Sequence, residues 1–180
     1  MVIRLNRFNI YLVLLVVLAA GCKTAESKHE KEVSTLQLRQ EANPDPTGRT
    51  EQIAVYREHP VKFTVSRAPF LTESKVKEAK VIDVVGGFAL RIAFDKEGAM
   101  LLEEYTAATR GRHIAVFSQW VEAPDLKPNA GRWLAAPKIQ THITDGVFIF
   151  TPDATREECE KIAHGLNDVA RDLRTGQQDN

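Results

Sequence analysis

The chain has 180 residues, 43% of them hydrophobic, and its 24 Lys and Arg are balanced by 24 Asp and Glu. That length holds one ordinary domain plus a tether, and nothing in the balanced charge suggests a nucleic-acid-binding surface or a strongly charged partner. Two cysteines, Cys22 and Cys159, are too few for a disulfide framework.

The chain opens with Arg4 and Arg7, an unbroken apolar run from Ile10 to Leu18, and the sequence Leu18-Ala19-Ala20-Gly21-Cys22. A positive segment, an apolar core and small residues before a cut site make a secretory signal peptide. Ile10 to Gly21 is twelve residues, too short for the roughly 20 that a spanning helix needs. The ending resembles the lipobox of bacterial lipoproteins, although leucine is commoner where Ala19 stands. The resemblance implies cleavage between Gly21 and Cys22, a diacylglycerol on the Cys22 sulfur, and a palmitate-type acyl chain on the new amino terminus. The product would be a cell-envelope protein held to a membrane by its own lipid. Lys23 stands where enteric-type bacteria place aspartate to retain lipoproteins in the inner membrane, which favours the outer membrane or a periplasm-facing location. A cleaved but unlipidated signal is the alternative.

Residues 1–21 are thus the signal and 22–33 a polar, charged tether with too little apolar surface to offset ordering entropy. A domain over 34–174 follows, then a polar tail, 175–180. Leu36 and Leu38 alternate in one strand, and Ile53 and Val55 in another. The turn formers Asn43 to Gly48 between them predict a hairpin over 34–56. Val61 to Val65 is extended. Thr72 caps a predicted short helix to Ala79. Val81–Val85 and Phe88–Phe94 are strands joined by a tight turn at Gly86-Gly87. Asp95 caps a helix to about Arg110, stopped by Gly111. Ile114–Phe117 and Val147–Phe150 are strands, separated by a polar loop between Trp120 and Trp133. Thr155 and Glu158 form a capping box. The helix after it places Cys159, Ile162, Ala163, Leu166, Val169, Ala170 and Leu173 on one apolar stripe, which makes Cys159 a small buried hydrophobe. Adjacent strands joined by tight turns predict an α+β domain: an antiparallel or mixed sheet with about three helices packed on one face.

Chemistry is scarce. His29, His59, His113, His142 and His164 show no metal-ligand spacing, and neither a phosphate-binding glycine pattern nor a nucleophile elbow is present. No catalytic residue, metal or cofactor is expected. Trp120 and Trp133 bracket the longest loop; core packing is their plain reading, and a partner contact is the functional one.

The run Phe88-Ala-Leu-Arg-Ile-Ala-Phe-Asp95-Lys-Glu-Gly98-Ala, with Thr106, Gly111-Arg112-His113-Ile114-Ala115-Val116, Pro137-Lys138-Ile139, Ile143, Gly146, Ile149, Phe150-Thr151, Glu157-Glu158 and Ile162-Ala163, follows a set order and spacing. It resembles the head subdomain of the first periplasmic domain of the SecD and SecDF translocase subunits, best over residues 70–173. The resemblance implies an α+β head and contact with polypeptide or an envelope protein, linked to protein export. The transmembrane helices and base subdomain of that family have no counterpart here, so pump activity does not transfer. The expected protein is a non-enzymatic, lipid-anchored binding module. One alternative is an exported small-molecule binder or small hydrolase gathering Asp83, Arg91, His113 and His142 in a pocket; another is an envelope structural protein.

Overall fold

The computed structural model describes residues 33–122, 127–128 and 131–176. Residues 1–21, Cys22 and the tether up to residue 32 therefore lie outside the described residues, as do 177–180 of the tail. Within Lys31–Asn180, the described chain is α+β with every strand pairing antiparallel.

Strand β1 (Ser34–Gln40) alternates as its sequence requires, burying Ser34, Leu36 and Leu38. Its partner is not the next strand. β1 pairs with β7 (Ile114–Glu122) along its whole length, Ser34 opposite Trp120 and Gln40 opposite Ile114, and with β4 (Leu71–Thr72). β2 (Thr50–Val55) forms its hairpin with β3 (Val61–Ser66). The predicted 34–56 hairpin is thus corrected. Leu36 and Leu38 find a matching buried row, Ile114, Val116 and Trp120, only on β7, and burying both rows outweighs the shorter loop. β8 (Lys127–Pro128) and β9 (Arg132–Ala135) also pair with β7.

A second sheet has the order β10 (Val147–Phe150), β6 (Gly87–Phe94), β5 (Val76–Val84). The β5–β6 turn is as tight as expected, with Gly86 at φ 87°, a left-handed value that costs glycine nothing. The helix expected over 72–79 is a single 3-10 turn, Glu73–Lys75, after which the chain enters β5. An eight-residue helix is marginal alone. Pairing Val76 and Ala79 with β6 buries both. Among the described residues two α-helices therefore stand where about three were expected. They are α1 (Lys96–Ala108), whose N-cap Asp95 accepts from Gly98 N–H at 2.7 Å, and α2 (Arg156–Gly176).

The main core joins both sheets and α2, through Leu36, Leu90, Ile92, Trp120, Phe148 and Leu166 among others. A smaller cluster, Ile53, Val55, Val65, Ala115 and Ala136, packs the β2–β3 hairpin against the far face of β7. The α2 stripe buries Cys159, Ile162, Ala163, Leu166 and Ala170 as its spacing demands, while Leu173 is exposed beyond the sheet. Gly165 is the unforeseen member: a Cβ there would meet Ser34 Oγ at 2.3 Å, so β1 can approach the helix only over glycine.

Asn167 fixes α2 to the sheet. Its Oδ1 accepts from Ala79 N–H and its Nδ2 donates to Ala79 C=O, both at 2.8 Å, as a neighbouring strand would. The outer edge of β5 is closed at that point. Asn167→Ala is expected to leave both backbone groups unpaired and to cost about 1–3 kcal/mol, measured as a lower urea midpoint with an unchanged slope.

Candidate functional site

The opposite edge of the same sheet is open. Phe94 N–H donates to Gly146 C=O at 3.0 Å, and the register sets Val147 opposite Ala93 and Ile149 opposite Arg91. In an antiparallel ladder those are the non-hydrogen-bonded pairs, so Val147 and Ile149 turn their N–H and C=O away from β6. Asp145 Oδ1 accepts from Val147 N–H at 3.0 Å. Among the described residues nothing accepts from Ile149 N–H or donates to Ile149 C=O. The Ile149 side chain is 49% exposed, whereas its neighbours Phe148 and Phe150 are buried. Unsatisfied strand groups beside an exposed apolar side chain are what an extended peptide pairs with.

Beyond Phe150 the edge runs into a cavity of about 540 Å³ lined by Tyr56, Arg57, His59, Val61, Pro152 and Asp153, among others. Its walls are pinned from three sides. Asp153 N–H donates to Leu134 C=O at 2.6 Å, and Arg57 N–H donates to Asp153 Oδ2 at 2.8 Å with the guanidinium alongside. Tyr56 sits at φ 71°, a costly conformation for a residue with a Cβ, held only where its surroundings fix it. Tyr56 and Val61 are both exposed there. The edge thus offers backbone pairing, and the cavity beside it offers room for an apolar side chain.

The start of α2 braces this region. Glu158 accepts from Thr155 N–H at 2.7 Å and donates its own N–H to Thr155 Oγ1 at 3.2 Å, closing the expected capping box. The same carboxylate takes Arg132 Nη2 at 2.7 Å. Burial acts on Glu158 first and upward, but the hydrogen bonds from Arg132 and Thr155 and the Arg132 charge hold its carboxyl below the usual range. A carboxyl lowered on folding adds stability that is complete above its unfolded value, near 4.5, and is lost as pH falls through the lower folded value. Glu158→Gln is expected to cost about 1–3 kcal/mol at neutral pH and to flatten the acid limb of stability against pH. Denaturation midpoints across that limb decide it, and an unchanged slope there removes Glu158 from the account.

The sequence candidates do not converge. Asp83 pairs with Arg156, Arg91 with Glu78 at 3.2 Å, and His113 with Glu41 at 2.8 Å, while His142 is exposed on the loop before β10. Their separate partners and positions keep the four apart, and of them only Arg91 lines the Lys77–Arg174 cleft. Trp120 is 1% exposed and Arg132 covers its ring at 5.0 Å; this corrects its reading as a partner contact, because the β1–β7 pairing carries it into the core. Trp133 is half-buried on Phe117, edge to face at 5.3 Å, under Arg39. Burial pushes the Cys159 thiol up to about 12, so it is a packing group and not a nucleophile. Residues 123–126 and 129–130 of the predicted 120–133 loop lie outside the described residues. Gly21 and Cys22 do too.

A family model described as "SecDF, P1 head subdomain" matches residues 50–170. The chain belongs to this family. Two solved structures share the fold of the SecDF head seen here. One is described as "Structure and function of a membrane component SecDF that enhances protein export": 18% identity, TM-score 0.51, with 93% of this chain covering 71% of that one. The other is "Crystal structure of SecDF in Super-membrane-facing form": 18% identity, TM-score 0.52, with 91% of this chain covering 21% of that one. The chain thus spans a fraction of the second protein. No curated protein matches it in sequence. Among the described residues of this SecDF-head chain, no helix is long and apolar enough to cross a membrane. The sequence does not reveal the exposed strand edge at Ile149 or the cavity beside it. The only available signal was alternation in Val147–Phe150, which shows that one face is exposed and not that an edge is.

Proposed function

We propose that this SecDF-head protein is a non-enzymatic envelope lipoprotein that contacts extended polypeptide, or a protein partner presenting a strand, in connection with protein export. Residues 1–21 are its signal, cut between Gly21 and Cys22. Cys22 carries the lipid, and residues 22–33 tether the domain of residues 34–174. Family membership and the export function named for one structural relative support the link to export. The lipobox supports the anchor. The open β10 edge carries the binding reading: an added strand would pair with Ile149 N–H and C=O, and the Tyr56–Pro152 cavity would take a neighbouring side chain. Binding by strand addition is tolerant of sequence, because the main chain supplies most of the contact, and this suits a protein that meets many exported chains.

The experiment is in-cell crosslinking from a photoreactive side chain at position 149, with Cys22→Ala as the unanchored control, read by mass spectrometry. Recovery of exported chains or export components, reduced in the control, is expected. Recovery of neither from the anchored protein overturns the reading.

A further inference from the structure

A second surface is electrostatic. The whole chain balances its charges, yet a cleft of about 720 Å³ is lined by Lys77, Lys80, Arg91, Arg171 and Arg174 around one carboxylate, Glu78. Three features of the fold assemble it. The register of β5 shifts between Val76 and Glu78, and this bulge leaves Lys77 and Glu78 exposed side by side. Arg91 stands directly opposite Lys80 across the β5–β6 pair, a like-charge pairing that costs stability. Asn167, clasped to Ala79, brings the last turns of α2 alongside, and Arg171 and Arg174 follow it at i+4 and i+7 on the same helix face.

The cations outnumber their anions. Glu78 is shared by Lys80 and Arg91, both at 3.2 Å. Arg171 has Asp168 at 3.0 Å. Among the described residues Arg174 Nε donates to the Ala170 carbonyl, and neither Arg174 nor Lys77 forms an ion pair there. Such a surface calls for a ligand with several anionic groups.

We propose that this cleft docks on anionic phospholipid headgroups of the membrane that holds the Cys22 lipid. The proposal deepens the anchored-lipoprotein reading and rests on it. The tether favours the membrane over an acidic polypeptide. Eleven residues, 22–32, precede the described chain; at about 3.3–3.6 Å each they reach at most about 40 Å. They join the domain at Val33–Ser34, where Ser34 packs on Gly165 of α2. Arg171 and Arg174 lie about 9 and 13.5 Å further along that helix, at 1.5 Å per residue, and across a helix about 10 Å wide. The anchored domain cannot leave the headgroup layer by more than the tether's length, so the cleft meets phosphates at high effective concentration. Guanidinium groups hold phosphate oxygens in paired hydrogen bonds, and the lysines add point charges.

The test uses the mature full-length protein in two kinds of vesicle, phosphatidylcholine alone and phosphatidylcholine with phosphatidylglycerol. Amine acetylation is quantified by mass spectrometry at Lys77 and Lys80, with the exposed Lys62 and Lys138 as internal controls. At low salt, phosphatidylglycerol is expected to slow acetylation of Lys77 and Lys80 roughly tenfold, an effect that high salt abolishes while the controls stay constant. Arg171→Glu with Arg174→Glu, on the exposed end of α2, is expected to remove the protection. Equal reactivity in both vesicles overturns the proposal, as does protection by added polyglutamate but not by phosphatidylglycerol, which assigns the cleft to acidic polypeptide. The anchor is read separately, from retention on phosphatidylcholine alone. If that retention is absent the anchor reading falls, and protection of Lys77 and Lys80 on phosphatidylglycerol vesicles still decides the cleft.

Discussion

Trp120→Ala is expected to destabilise the domain by about 3–5 kcal/mol, the cost of emptying a buried large aromatic site. The indole is among the largest fully buried side chains. It lies at the end of β7 opposite Ser34, which itself packs against Gly165, so removing it opens a hole where both sheet and helix meet. Neither neighbour can collapse freely: Ser34 is tied into the β1–β7 ladder, and Gly165 has no side chain to move inward. Arg132, over the ring at 5.0 Å, loses its cation–π partner as well. The measurement is the guanidinium midpoint, with the slope checked for two-state behaviour. Trp133→Ala, half-buried in the smaller cluster, is expected to cost less. Were Trp120→Ala to keep its midpoint and lose partner capture instead, the tryptophan would belong to a contact surface after all.

Ile149→Pro is expected to weaken strand addition about tenfold while sparing the fold. Proline removes one backbone donor, and at position 149 that donor faces away from β6. Edge strands tolerate proline where the N–H faces solvent, so the expected stability loss is about 1 kcal/mol or less. Phe148→Pro is the contrasting variant. Phe148 is buried and lies in a hydrogen-bonded pair with Ile92, and loss of that bond and of the ring is expected to unfold the sheet. Capture of polypeptide, read by crosslinking from Val61 across the adjacent cavity, is expected to fall about tenfold in Ile149→Pro, equivalent to about 1.4 kcal/mol. Full capture by a folded Ile149→Pro protein would move the contact away from β10.

Local signals were legible where a single element carries its own answer. Asp95 and the Thr155–Glu158 box mark helix starts through backbone groups within a few residues, and the structure places the helices there, whereas α1 ends at Ala108 with Thr109 as its cap, short of the expected stop at Gly111. The 3.6-residue stripe on α2 gave its buried face, Cys159 included, because a helix needs only its own spacing to present one side to a core. The ordered motif set led to the SecDF head family. Failures came wherever a distant partner decided. Strand alternation says which side chains point inward, not which strand lies alongside, so the sequence favours pairing β1 with its neighbour, whereas its buried row fits β7. The 72–79 segment reads as a capped helix until β6 offers Val76 and Ala79 a place to be buried. Trp120 reads as a loop residue until β7 proves to run through it.

The α+β class and the family are written in spacing along single stretches of chain; the export signal and the lipobox cysteine are expectations of the same kind. Tertiary structure alone decided the surfaces. Whether a strand edge is open depends on what packs beside it: Asn167 closes β5, and among the described residues nothing closes β10 at Ile149. Whether five cations form a cleft depends on a bulge, a cross-strand register and a helix laid against an edge. Those are relations between residues far apart in sequence, fixed only when the hydrophobic core brings their elements together.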